Sequence, residues 1–173
     1  MKYILTIILI IGIYVFIGNT VSANNLIPSD AIRVRVIANS NTEYDQQIKS
    51  KVSEVVKDDM YNLLSDVKGV DNAKFIIENN VDILSNDIDK LLEKENYNLG
   101  FNINYGKNYF PEKKYKGVIY EEGYYDSLVV TLGSGQGDNW WCVLFPPLCL
   151  VEAEESTEVE YTTFVKEIMD KYL

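Results

Sequence analysis

The spacing of apolar residues changes partway along the chain. Positions 42–65 and 71–95 carry apolar residues at the 3.6-residue spacing of amphipathic helices, and the short turn at 66–69 makes the two helices antiparallel neighbours. Before them, 32–38 alternates apolar and polar residues as a half-buried strand does. From Leu99 onward the period is again two, so most of a sheet follows the helices.

The second half predicts several strands. The alternation at 99–105 indicates a half-buried strand, and 115–120 is typical of an edge strand. The apolar runs at 128–132 and 140–145 predict strands that are buried on both faces. The last of these strands must end at the two prolines that follow it, because proline cannot donate a ladder hydrogen bond.

The C-terminal segment predicts one more helix after an acidic stretch. Its apolar stripe consists of Tyr161, Phe164, Val165, Ile168, Met169 and Tyr172. Such a stripe docks on its own domain or binds a partner, and we favour docking. The fold class that we expect is α+β: a mainly antiparallel sheet with two antiparallel helices packed on one face and a C-terminal amphipathic helix.

The N-terminus has the charged, apolar and small-residue order of an export signal. Lys2 precedes an apolar run from Ile4 to Ile17, which spans only about 21 Å of helix and is short for a membrane core of about 30 Å. We therefore favour cleavage after Ala23 over an uncleaved anchor. The predicted organisation is a signal peptide at 1–23, a linker at 24–31, a folded domain at 32–151 and an acidic tail with its helix at 152–173.

Composition excludes several kinds of chemistry. The 173 residues include no His and two Cys, so His-dependent triads, His-ligated metals and four-cysteine zinc sites are excluded. A net charge of −10, which becomes −11 without the signal peptide, argues against nucleic acid as a partner. With 26 Asp and Glu, a secreted carboxylate-dependent hydrolase stays open as an alternative, although no pair of carboxylates stands out.

Two local features invite a chemical interpretation. The glycine-rich stretch at 133–137 precedes a strand and lacks a following Lys-Ser or Lys-Thr, so we expect a flexible hairpin turn and no phosphate site. Cys142 and Cys149 favour a structural disulfide in an exported protein, with two buried free thiols as the alternative.

Several segments resemble the stage II sporulation protein R family. They are 33–40, Asp45-Gln46, 109–115 and, most specifically, the string from Gly133 to Cys149 that contains Asn139-Trp140-Trp141-Cys142. The resemblance covers about 32–151. Many members carry His where this chain has Arg35, and a Leu-Pro-Ala-Gly stretch of the family is replaced at 119–123.

The resemblance implies a function. Members are made in the forespore and secreted into the space between forespore and mother cell. There they trigger a membrane-embedded aspartic protease that removes the pro-segment of the sigma-E precursor. It implies an intercompartmental signal and not an enzyme, with no cofactor, no small-molecule ligand and no catalytic residues. The partner would be the extracytoplasmic part of that protease. A cell-wall hydrolase or wall-binding module is the alternative.

Aromatic residues supply the candidate contact region, since Tyr and Trp offer large contact area with few rotors to freeze. Stacking on glycans would use the same residue types. The predicted partner-binding residues are Trp140, Trp141, Phe145, Pro146, Pro147 and Leu148. Core packing is their alternative role, and at least one Trp should face the core because neighbouring strand residues point to opposite sides.

Overall fold

The computed structural model describes residues 27–116, 118–148 and 158–173. The predicted signal peptide, the start of the linker (24–26) and Cys149 lie outside these ranges. No helix within them is long and apolar enough to cross a membrane. The elements are β1 (Ile32–Ile37), α1 (Glu43–Leu64), α2 (Val70–Lys94), β2 (Phe101–Phe110), β3 (Lys113–Tyr115), β4 (Val118–Tyr120), β5 (Gly123–Leu132), β6 (Asn139–Phe145) and α3 (Glu158–Tyr172).

The main sheet has four strands in the order β2-β5-β1-β6. The β2–β5 and β1–β6 pairs are antiparallel, whereas β1 and β5 run parallel. This mainly antiparallel mixed sheet, with its helices segregated, confirms the predicted α+β class. The central strand β5 is buried on both faces at Leu128, Val129 and Val130, as the apolar run predicted.

Two strand predictions were wrong. β6 pairs only with β1, so it is an edge strand, and its first four residues are only half-buried. The single edge strand predicted at 115–120 is instead a separate hairpin in which β3 pairs with β4. The chain reverses there next to Lys116, whose φ of 45° lies in the left-handed region.

The main core lies between one sheet face and the helices α1 and α2. The side chains of Ile32, Val34 and Val36 point to this face, and β5 adds Leu128, Val130 and Leu132. α1 begins after Thr42, whose hydroxyl accepts a hydrogen bond from the backbone amide of Asp45, so Thr42 caps the helix. The stripe that the helices bury contains Ile48, Val52, Val56, Met60, Leu64, Ala73, Ile77, Leu84, Ile88 and Leu92.

The C-terminal helix docks on its own domain. Tyr161 and Val165 are buried in a second core with Val118, Val143 and Leu148. At its far end the Tyr172 hydroxyl donates to the Ser65 carbonyl at 3.0 Å, and its ring meets Phe145 of the main core. α3 therefore ties the hairpin, the end of β6 and the turn between α1 and α2 together.

Candidate functional site

Two loops hold each other at the carboxyl end of β1. The Ser134 amide donates to the Asn39 side chain at 2.9 Å, and the Gly137 amide donates to the Ala38 carbonyl at 2.8 Å. The Asp138 amide donates to the Asn41 side chain at 2.6 Å. The prediction of a hairpin turn at 133–137 is wrong. β1 lies between β5 and β6, so the loop that joins β5 to β6 must cross the end of β1.

The close approach of the two loops explains the glycines. At Gly133, with φ of 51°, a Cβ would collide with the Asn39 side chain. At Gly137 it would overlap the Ser40 carbonyl group, which is backbone and cannot rotate away. Glycine is required here because the first loop packs closely against it.

Asp45 fixes the first loop from α1. Its carboxylate is 5% exposed and accepts hydrogen bonds from the Asn39 side-chain amide at 2.9 Å and from the Ser40 hydroxyl at 2.5 Å. The bond from Ser40 is the main cause that lowers the pKa of Asp45, although burial opposes it. The loop therefore depends on an ionised Asp45.

We expect Asp45→Ala to lower the free energy of unfolding by about 2 kcal/mol at pH 7, because it removes two hydrogen bonds to a charged group. A folded-state pKa below the unfolded value means that this stability is present above about pH 4 and is lost as pH falls through the folded pKa. Urea unfolding of both proteins from pH 7 to pH 2.5 checks this. A difference that stays constant over this range would contradict the role of the carboxylate.

The sheet face opposite α1 and α2 carries a group of cationic and aromatic side chains. We call it the arginine–aromatic cluster: Arg33, Arg35, Phe110, Tyr125, Trp141 and Lys113. Strand pairing brings it together, since Arg35 lies opposite Trp141 on β6 and Arg33 opposite Ser127 on β5. Phe110 ends β2, and Lys113 begins the hairpin.

The aromatic rings form a frame for the two guanidinium groups. Phe110 meets Trp141 edge to face at 5.1 Å between ring centroids and Tyr125 at 6.2 Å. The Arg33 guanidinium carbon lies 3.5 Å from the centre of the Tyr125 ring. That of Arg35 lies 5.4 Å from Phe110 and 5.1 Å from Trp141. These are cation–π distances, so the rings hold both cations in place.

The two arginines differ in what else they bind. Arg33 is 4% exposed and donates to the Glu121 carbonyl at 3.1 Å. Arg35 is half-buried, and in the part of the chain that the structure describes the Nε of each arginine has no hydrogen-bond partner. Burial lowers the pKa of both side chains, yet arginine stays charged at neutral pH. The cluster thus presents a fixed positive charge on a half-open face.

The predicted partner-binding residues fall in three places. Trp140 faces the helices and packs against the main core. This agrees with the prediction that at least one of the two Trp residues faces the core. Trp141 lies half-buried in the arginine–aromatic cluster. The other four residues are buried and unreachable from solvent: Phe145, Pro146, Pro147 and Leu148. Of the six, Trp141 is therefore the one that joins an open surface.

Of the two cysteines in the predicted disulfide, Cys142 lies within the described ranges and Cys149 lies outside them. Cys142 lies on β6, where its side chain packs half-buried against the main core. Cys149 follows the last described turn of this segment. The pairing of the two cysteines stays a prediction.

Sequence analysis did not nominate Arg33 and Arg35 as site residues. The signal was present, because two arginines at alternating positions of an otherwise apolar strand place two charges on one sheet face. That face must then be uncovered or must supply unusual partners for the charges. The aromatic frame came from β2, β5 and β6, whose strand order the sequence does not reveal.

Comparison with known proteins identifies a relationship that includes both loops and the cluster. The family model described as stage II sporulation protein R matches residues 28–155. A curated Bacillus subtilis protein, stage II sporulation protein R, is 34% identical over 135 residues, which are 78% of this chain and 60% of that protein. The chain thus spans less than two thirds of this relative's length. No solved structure matches the chain. The chain belongs to the stage II sporulation protein R family.

Proposed function

We propose that the protein is an exported signal of endospore formation that activates a membrane-embedded aspartic protease. It leaves the forespore, enters the space between forespore and mother cell, and binds the extracytoplasmic part of that protease. The protease then processes the sigma-E precursor. Binding works by differential affinity: a partner that favours the active state of the protease shifts its population toward that state.

One observation carries this proposal. The segments through which the chain resembles its family lie together in space: 33–40 and 133–141 supply the two interlocked loops, β1 and the start of β6, and 109–115 adds Phe110 and Lys113. Together these segments form a half-open surface of aromatic and cationic side chains, which suits a contact with another protein. Among the described residues no cluster of His, Cys, Asp and Glu is placed to hold a metal.

Co-expression outside sporulation tests the function directly. The protein, the receptor protease and the sigma-E precursor are produced in growing cells, and precursor cleavage is followed by immunoblot. We expect cleavage only when all three are present and the protein carries its export signal. Cleavage that does not depend on this protein, or none when it is exported, would refute the assignment.

Trp141→Ala should reduce precursor cleavage by about 30-fold or more, the loss expected when a central aromatic anchor of an interface is removed. Phe75→Ala on α2 is the matched control. Phe75 is also aromatic and is 68% exposed, and it is distant in sequence from the residues of the cluster. Circular dichroism and thermal melting establish that both variants fold. A folded Trp141→Ala protein that signals normally would remove Trp141 from the contact.

A secreted cell-wall hydrolase has one observation in its favour. Burial, and then the charges of Asp87 and Asp58, raise the pKa of Asp59, as a general acid requires. A zymogram with purified protein separates this alternative from signalling. Wall lysis that is lost on Asp59→Asn would favour the hydrolase, whereas no lysis favours the signal.

A further inference from the structure

We propose that the arginine–aromatic cluster binds a carboxylate of the partner protein, on an acidic segment that also carries an apolar side chain. This inference rests on the proposed function for the identity of the partner, but not for the chemistry of the site. Arg35 would hold the carboxylate, and the half-buried ring of Trp141 would contact the neighbouring apolar group.

Arg35 lacks a counter-ion. A guanidinium has five N–H donors in a fixed fork that matches a carboxylate, and no acceptor. Neither Arg33 nor Arg35 forms an ion pair within the described ranges, and the Nε of each is buried without a hydrogen-bond partner there. Arg33 is 4% exposed, whereas Arg35 is half-buried, so Arg35 is the one that can take a carboxylate from a partner as its counter-ion.

Aromatic rings hold Arg35 in position. Phe110 is 1% exposed, and its ring contacts both Arg33 and Arg35. The Trp141 ring contacts Arg35 next to Phe110, since the centroids of the two rings are 5.1 Å apart. Arg33 is itself held by Tyr125 and by the Glu121 carbonyl, so it cannot swing out to compete. Little side-chain entropy is then lost on binding, which favours a specific contact.

The cluster is cationic on an acidic chain. The chain has a net charge of −10, yet the cluster combines two arginines with Lys113, whose Nζ lies 5.2 Å from the Trp141 ring. Charges farther away than a Debye length of about 8 Å are screened, so the cluster attracts a nearby anion. A polyanion such as nucleic acid or a phospholipid surface would meet the acidic remainder of the protein. A single carboxylate on a protein segment would meet Arg35, since the charge of Glu121 acts on Arg33.

The surface around Arg35 is mixed in character. α1 and α2 cover the opposite face, and α3 with the hairpin covers the end near Val143. Arg35 and Trp141 are half-buried on the remaining face, next to Ile37 and Thr131, against which Gly135 packs. A mixed apolar and cationic surface of this kind fits a segment that carries both an acidic and an apolar residue.

Direct binding is measured by NMR on isotope-labelled protein purified after export, through the Nε–H signal of Arg35 and the indole signals of Trp140 and Trp141. The probe is acetyl-Glu-Phe-amide, and acetyl-Gln-Phe-amide is its uncharged control. We expect the Glu peptide to shift the signals of Arg35 and Trp141, and to leave that of Trp140 almost unchanged. Equal shifts with both peptides, or none, would overturn the proposal.

The acidic residues of the chain itself provide a second outcome. If the Glu peptide shifts Arg35 only after Glu152, Glu154 and Glu155 are changed to Gln, the cluster binds the chain's own tail and the proposal of a partner carboxylate is overturned. Peptide binding by the unchanged protein supports the proposal.

The cleavage assay extends the test to the real partner. Arg35→Gln should reduce precursor cleavage by about 30-fold or more, while Arg35→Lys retains part of it because the charge remains but the fork is lost. Lys94→Gln, at an exposed position of α2, controls for the loss of one positive charge alone. Normal cleavage with folded Arg35→Gln would overturn the carboxylate proposal and leave the signalling function standing. Failure of the unchanged protein would refute the function itself.

Discussion

Gly137→Ala should lower the free energy of unfolding by about 3 kcal/mol, at the upper end of the cost of forcing extra atoms into a packed site. The added methyl group would overlap the Ser40 carbonyl, whose atoms belong to the backbone. Relief requires the two loops to separate, which breaks the hydrogen bonds from the Gly137 and Asp138 amides. The thermal midpoint should fall by about 6–12 °C.

Gly106→Ala is the matched control for this prediction. Gly106 lies in β2, and the nearest atom to an added Cβ is the Asn104 side-chain oxygen at 4.0 Å. Alanine should be neutral there or slightly stabilising, because it restricts the unfolded chain. Differential scanning calorimetry measures both variants. Equal melting temperatures for the two would show that the loops do not depend on a glycine at 137.

Val165→Asp should undock α3 and cost about 4 kcal/mol, because it places a carboxylate without a partner in the second core. Val165 is fully buried among Val118, Val143 and Leu148. When α3 leaves, these side chains meet water, and the contact between Tyr172 and Phe145 is lost as well. We therefore expect new protease cleavage within 158–173 and a lower thermal midpoint.

Lys166→Asp places the same carboxylate one position further along α3, where the side chain is exposed. It should leave the protease pattern and the thermal midpoint almost unchanged, since surface substitutions usually change stability by less than about 0.5 kcal/mol. Limited proteolysis followed by mass spectrometry compares the two variants. Undocking in both would mean that net charge, and not burial at 165, holds the helix.

The helices were predictable because one physical rule dominates each of them. The periodic stripes placed α1 and α2 within a residue or two of their observed ends, and the stripe of α3 identified the side that docks. The partners of the strands were not predictable in this way. Alternation shows which residues share a face, but nothing in it places β1 between β5 and β6.

The errors in the predicted site arise because the order of the strands could not be predicted. With β5 and β6 assumed to be neighbours, 133–137 resembled a hairpin turn, whereas it crosses β1 and binds Asn39. The aromatic residues near Trp141 were noticed as a group. Their role as a frame for Arg35 depends on three strands that are distant in sequence, so only the fold reveals it.

The central position of β1 has a consequence for the order of folding. Arg33 pairs with Ser127 and Val34 with Cys142, so the first strand waits for partners that are about 100 residues further along the chain. Until those residues are available, the emerging segment holds two helices and an unpaired strand with no sheet to complete the core. A chain built in this way completes its core only once β6 has arrived, which would suit the export that we propose above.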